Sequence, residues 1–160
     1  MASLADLPLK YRLFMRTYQY RQVDWAPGRV LRKPLATARL ALVTTAGYYL
    51  PDQSPFDESI RGGDRSYRVV PGDTDVTRLR IGHRSDAFDR SGIEADKNVA
   101  LPLDRLRELA REGVIGHVAR RHFSFMGSIP APSRLISETV PEVAAMLQED
   151  QVDGVLLTPV

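Results

Sequence analysis

The chain has 160 residues, 43% hydrophobic and 26% charged, a balance that suits one soluble globular domain or a large part of one. Its 22 basic and 20 acidic residues leave a net charge of +2 with no long block of like charge, which argues against a polybasic nucleic-acid tail. Cysteine is absent, which excludes disulfides, Cys-ligated zinc and a cysteine nucleophile within these residues.

Asp6, Lys10 and Arg12 interrupt every amino-terminal apolar stretch that would suit a secretory leader. No segment approaches the ~20 apolar residues of a membrane span, so a cytoplasmic location is expected, with neither membrane nor nucleic acid as partner. Residues 9–21 carry Leu13, Phe14 and Tyr18 among arginines and predict a short amphipathic helix, closed by a turn at Trp25-Ala26-Pro27-Gly28. Residues 1–38 are thus expected to form a helix and linker ahead of an α/β domain over 39–160.

Arg39 to Thr44 predicts the first strand, and Thr44-Thr45-Ala46-Gly47 a small-residue turn after it. Residues 48–65 predict a long loop. Tyr67 to Pro71 predicts a second strand, Gly72 to Asp75 a turn, and Leu79-Arg80-Ile81 a short strand leading into Gly82-His83-Arg84-Ser85-Asp86. Asp89 to Asn98 is polar and predicts another loop. Pro102 to Arg111 predicts a helix with Leu103, Leu106, Leu109 and Ala110 on one face and Gly113 as its stop.

Arg121 to Phe125 predicts a strand with Gly127 turning it. Ser133 is the expected N-cap of a helix running to Leu147, which Pro141 should kink or divide in two. Val152 to Val160 reads as an apolar parallel strand. Strands alternate with helices in the second half, which predicts an α/β fold: an open, mainly parallel sheet with flanking helices. In such sheets ligands sit beyond the carboxyl ends of the strands. The terminal strand has no helix after it, so the carboxyl-terminal part of the fold is expected to be missing. An exposed apolar flank beside that strand would distinguish a fragment from a natural end.

Two candidate sites lie at predicted strand ends. Thr44, Thr45 and Gly47 offer backbone N–H groups and hydroxyls that suit a carboxylate or other anion; a tight turn needs the same small residues, and that reading is preferred. His83, with Asp86 and Asp89 close behind, reads equally as an oriented acid or base and as a loop histidine that caps a turn. His117 and His122 are five apart, not at the helical i, i+4 spacing, and no metal site is expected. Arg120-Arg121 suits an anion or, more commonly, a solvated face. Ser124, Met126 and Gly127 end a strand and suit a pocket wall, although Phe123, Phe125 and Met126 read first as core. Thr158-Pro159 would shape the start of the next loop.

These segments occur in an order that resembles one family. Val69-Val70-Pro71-Gly72-Asp73-Thr74, then Gly82-His83 and Phe88-Asp89-Arg90-Ser91-Gly92, resemble its first half. Leu101 to Leu109 and Glu112-Gly113-Val114-Ile115-Gly116 resemble its central helix. Phe123-Ser124-Phe125-Met126-Gly127 and Val152 to Val160 complete the set. The family is the selenoprotein B group of glycine/sarcosine/betaine/D-proline reductases, in particular its short bacterial branch.

The resemblance implies an oxidoreductase component that cleaves a bond at the α-carbon of an amino acid or an N-methylated amino acid. Thioredoxin-like thiols would supply the electrons, and other reductase subunits would be partners. It also implies a selenocysteine, or cysteine, directly after the stretch Leu156-Leu157-Thr158-Pro159-Val160. The expectation is therefore that this chain stops at a selenocysteine codon read as a stop, and that alone it is inactive. Within the chain, His83 is the expected proton donor to a leaving amine, oriented by Asp89, a role inferred from position. Thr44, Thr45, Gly47, Ser124, Gly127 and Thr158 are the expected substrate contacts. The sequence around Gly82-His83 lacks the glycines that follow the histidine in the larger amino-acid reductase subunits, which leaves the substrate open. The competing reading is a non-catalytic α/β binding or assembly module.

Overall fold

The computed structural model describes residues 5, 8–18, 28–85 and 89–160. The chain divides into two compact units, Met1–Val30 and Leu31–Val160. In the first, helix α1 spans Leu9–Thr17 and is followed by Tyr18, whose backbone is extended; the rest of the expected helix, residues 19–21, lies outside the described residues. The Thr17 hydroxyl donates to Phe14 O at 3.0 Å, the backbone competition that weakens a helix interior at threonine. The expected turn residues Trp25, Ala26 and Pro27 lie outside the described residues.

The second unit is α/β, as expected. Its strands are β1 (Arg39–Thr44), β2 (Tyr48–Tyr49), β3 (Tyr67–Pro71), β4 (Arg80–Ile81), β5 (His117–Val118), β6 (Arg121–Phe125) and β7 (Gly154–Thr158). Its α-helices are α2 (Ser91–Ala95), α3 (Leu103–Arg111) and α4 (Val140–Glu149). β1 is central: Ala41, Leu42 and Thr44 are fully buried. β7 pairs with it in parallel from Leu40↔Gly154 to Thr44↔Thr158. On its other edge β5 and β6 run in series, also parallel to β1. β3 lies antiparallel on the far side of β6.

The register slips between β5 and β6, from Leu40 opposite Val118 to Val43 opposite Phe123. The slip bulges the strand at Ala119–Arg120 and leaves Leu42 N–H without a backbone acceptor. His122 Nδ1 accepts it at 2.9 Å. A neutral imidazole suits this: one nitrogen accepts, and the proton sits on Nε2.

Burial, and then the Arg107 cation, pushes the His122 pKa down to about 4. An unfolded histidine titrates near ~6.5. The unfolded chain therefore binds the proton first as pH falls. The stabilisation is complete above about pH 6.5 and is lost toward pH 4, roughly 3 kcal/mol in all. Urea midpoints of wild type and His122→Gln, measured from pH 7 to pH 4, should converge as the pH drops; a constant gap between them would refute this.

Two clusters flank the sheet. One face packs Leu42, Tyr48, Val70, Leu101, Leu103 and Leu106; the other packs Phe123, Phe125 and Val143. α3 is anchored by Arg107, whose guanidinium donates to Gly72 O at 2.8 Å and Thr74 O at 2.7 Å. Before α4 the chain forms a π turn over Leu135–Thr139. Pro141 has no N–H to return to Ser137, so the helix widens there and α4 starts afresh, as the proline predicted. Ser133 does not cap this helix: Ile136 N–H already bonds to Pro132 O, which places Ser133 inside the first turn.

Two expected loops contain structure. β2 falls at the start of the 48–65 segment and pairs antiparallel with β4. The 89–98 segment holds α2 and a 3-10 turn, because Asp89 accepts Ser91 N–H and Asp96 accepts Asn98 N–H. Such aspartate-capped turns read as loops by composition alone. Among the described residues no helix is long and apolar enough to cross a membrane.

Candidate functional site

Because β1, β6 and β7 are parallel, their carboxyl ends converge. The loop after β1 brings Thr45, Ala46 and Gly47; the loop after β6 brings Met126 and Gly127; Thr158 to Val160 leave β7. The segment after β4 brings His83 to the same place.

Gly47 is the hinge pin of this arrangement. Its N–H donates to Phe125 O at 2.8 Å and its carbonyl accepts Gly82 N–H at 2.8 Å. It holds φ at +69°, and a Cβ there would stand 2.9 Å from Gly82 C and His83 N. Gly127, at φ +67°, faces the imidazole itself: a Cβ would stand 2.8 Å from His83 Nε2 and 2.7 Å from Thr45 O. Only glycine combines that backbone with that approach.

His83 is buried between these two loops. Its Nδ1 accepts Ser85 N–H at 3.1 Å. The neutral ring therefore carries its proton on Nε2, the nitrogen turned toward Gly127. Arg90 donates to the His83 carbonyl oxygen. Burial, followed by the Arg90 charge, lowers the His83 pKa below the usual histidine value. At neutral pH the group is a hydrogen-bond donor through Nε2–H rather than a standing imidazolium.

The threonine hydroxyls that suggested a ligand cradle hold backbone. Thr44 Oγ1 donates to Thr158 O at 3.2 Å and accepts Ala46 N–H at 3.2 Å. Thr45 Oγ1 accepts Val160 N–H at 3.0 Å and donates to Val160 O at 3.3 Å. Thr158 Oγ1 donates to Ala100 O at 2.6 Å. Together they fasten β7 and the residues after it to the end of β1. Ser124 is fully buried in β6, its Oγ without a partner among the described residues.

Asp89 is exposed and caps α2 through Ser91 N–H at 2.9 Å. Asp86 and Phe88 lie outside the described residues. Arg90 and Ser85 were missed in the sequence; Arg90 stands in the stretch Asp89-Arg90-Ser91-Gly92, which was singled out only for its order.

A polar cleft of about 450 Å³ opens at the opposite, amino end of β1 and β5, lined by Lys33, Thr37, Arg39, His117 and Asp153. Its cations are engaged: Lys33 Nζ lies 2.7 Å from Asp153, and Arg39 donates to Asp150 O at 2.8 Å. Nearby, Arg120 and Arg121 are bound to Asp150, so the arginine pair serves an internal ion network rather than a ligand. His117 borders this cleft while His122 is enclosed in the sheet.

The family model for glycine/sarcosine/betaine reductase selenoprotein B matches residues 8–160. The D-proline reductase subunit gamma of Acetoanaerobium sticklandii is 37% identical over 134 residues, covering 84% of this chain and 52% of that protein. The betaine reductase complex component B subunit beta of Peptoclostridium acidaminophilum is 31% identical, covering 79% of this chain and 29% of its own length. The glycine reductase complex component B subunit gamma of Symbiobacterium thermophilum is 29% identical, covering 94% and 35%. The chain thus spans about half, or less, of the length of these relatives. No solved structure matches it.

Proposed function

The chain belongs to the glycine/sarcosine/betaine reductase selenoprotein B family, and from that we propose that it forms one wall of a reductase site acting on an amino acid or N-methylated amino acid. The reaction is thiol-dependent cleavage at the α-carbon. The observation that carries this reading is His83, pressed against Gly127 with Nε2–H toward the carboxyl ends of β1, β6 and β7.

Thr45 joins the two halves of the site. Its carbonyl and His83 Nε2 border the same point beside Gly127, and its hydroxyl grips both backbone groups of Val160. That grip suits a reactive residue presented just beyond β7. A selenocysteine or cysteine placed there supplies the nucleophile for the α-carbon; a dithiol gives two electrons and two protons, the C–N bond becomes C–H and N–H, and the dithiol ends as a disulfide.

The chain's own residues do the rest. Nε2–H of His83 stabilises the leaving nitrogen by a hydrogen bond, the proton that nitrogen gains coming from the dithiol, and Ser85 N–H fixes the ring through Nδ1. The lowered pKa keeps the ring neutral, with Nε2–H as its donor. Gly47 and Gly127 let the backbone close on His83 more tightly than any side chain would allow. Other reductase subunits and a thioredoxin-like thiol donor are the proposed partners.

The use of the Thr44, Thr45 and Thr158 hydroxyls on backbone favours a second reading, a non-catalytic assembly module. The test joins the chain to the part of the D-proline reductase gamma subunit it does not match, with Cys or selenocysteine at the reactive position. Glycine, sarcosine, betaine and D-proline are offered with dithiothreitol. Thiol-dependent cleavage is expected, reduced about a hundredfold or more in His83→Phe. No turnover of any of the four supports the assembly module instead.

A further inference from the structure

β7 has the sequence of an interior strand and the position of an edge. In its register on β1, Val155 and Leu157 share the face of Ala41 and Val43, and Leu156 shares the face of Leu42. Ala41 and Leu42 are fully buried, yet Val155 is 39%, Leu156 48% and Leu157 65% exposed. A strand apolar on both faces belongs inside a parallel sheet covered by helices on each side. Native edge strands are usually guarded by charge, proline or a bulge. Between Gly154 and Thr158 there is none of these.

The open edge also offers hydrogen bonds. Thr45 N–H bonds to Thr158 O, so Thr158 faces β1. Alternation along the strand turns Gly154 and Leu156 the same way, so the N–H groups of Val155 and Leu157 point outward. Among the described residues no strand meets them.

We propose that this edge takes a further parallel strand, with a helix over each face, from polypeptide corresponding to the length the relatives have and this chain has not. The chain covers 52% of the D-proline reductase gamma subunit, so almost as much chain again is present in that relative. A second copy of this chain fits poorly. Two-fold pairing of β7 with itself is antiparallel and leaves Val155, Leu156 and Leu157 bare on both faces. The inference concerns assembly and does not rest on the chemistry proposed above.

The probe is the unmatched segment of the Acetoanaerobium sticklandii subunit, purified separately and also joined to this chain by a flexible linker. Hydrogen exchange of the peptide spanning 152–160 and light scattering are read with and without it. A one-to-one complex is expected, with exchange at Val155 and Leu157 slowed at least tenfold in both formats. Leu156→Lys with Leu157→Lys should keep the chain's own melting temperature and lose the complex. The proposal is overturned if the chain alone is a dimer with those amides already protected, or if they exchange equally fast in the joined protein. Because neither readout is activity, a catalytically silent complex would sink the proposed chemistry and leave this seam standing.

Discussion

Gly127→Ala is expected to destabilise the protein by roughly 2–4 kcal/mol and to displace His83. The new Cβ would stand 2.7 Å from Thr45 O and 2.8 Å from His83 Nε2, with φ held at +67°. The left-handed conformation alone costs a non-glycine residue about 1–2 kcal/mol, and the contacts add to it because two backbones and a buried ring leave little room to yield. Gly92→Ala is the control for the same chemical change. Gly92 sits in α2 with nothing within 4 Å of its Cβ position, so alanine there should be neutral or stabilising by up to about 1 kcal/mol. Thermal unfolding of the two variants measures the difference, and the His83 imidazole resonances report the displacement. Equal melting temperatures would show that the Gly127 loop is not packed on His83 as described.

Asp150→Ala should cost about 2–4 kcal/mol. Its carboxylate is fully buried and accepts from Arg120 Nη2 at 2.5 Å and from Arg121 Nε at 2.7 Å. It ties the end of α4 to the start of β6, and its own carbonyl binds Arg39. Only the Asp150 end of these pairs is buried, so the loss is that of two charge-assisted hydrogen bonds and of the join they make. Arg120 is 76% exposed, so Arg120→Ala should cost less than about 1 kcal/mol. The bonds from Arg121 and Arg120 lower the Asp150 pKa against the opposing effect of burial. A lowered carboxylate contributes stability that is present above its unfolded pKa and is lost as pH falls through the folded one. The gap between wild type and Asp150→Ala in urea unfolding should therefore shrink in acid below pH 4. A gap that stays constant would mean the carboxylate is not ionised in the folded protein.

Periodicity and punctuation made β1, β3, β6, α3 and β7 legible in the sequence. Each is an apolar run, a partly alternating strand or a one-faced helix punctuated by glycine or proline, and local sterics decide such elements. β2 and α2 were not legible. β2 has two residues and exists because β4 pairs with it; α2 exists because Asp89 caps it. Neither leaves a periodic signal.

The site was half legible. His83, Gly47 and Gly127 were found because they stand at strand ends. The duty of Thr44, Thr45 and Thr158 was not, since a hydroxyl that holds backbone and one that holds a ligand look the same in a sequence.

By itself the sequence determined the α/β class, the absence of cysteine from these residues, the family, and the histidine at the end of a strand. Only the tertiary structure decided that His83 meets Gly127 and Gly47, residues 44 and 36 positions away, or that its proton sits on Nε2. Only it showed β7 open on one edge and both faces. Local elements follow from short-range sterics and burial pattern, whereas a neighbour across the sheet follows from register, and register is fixed by the whole packed core.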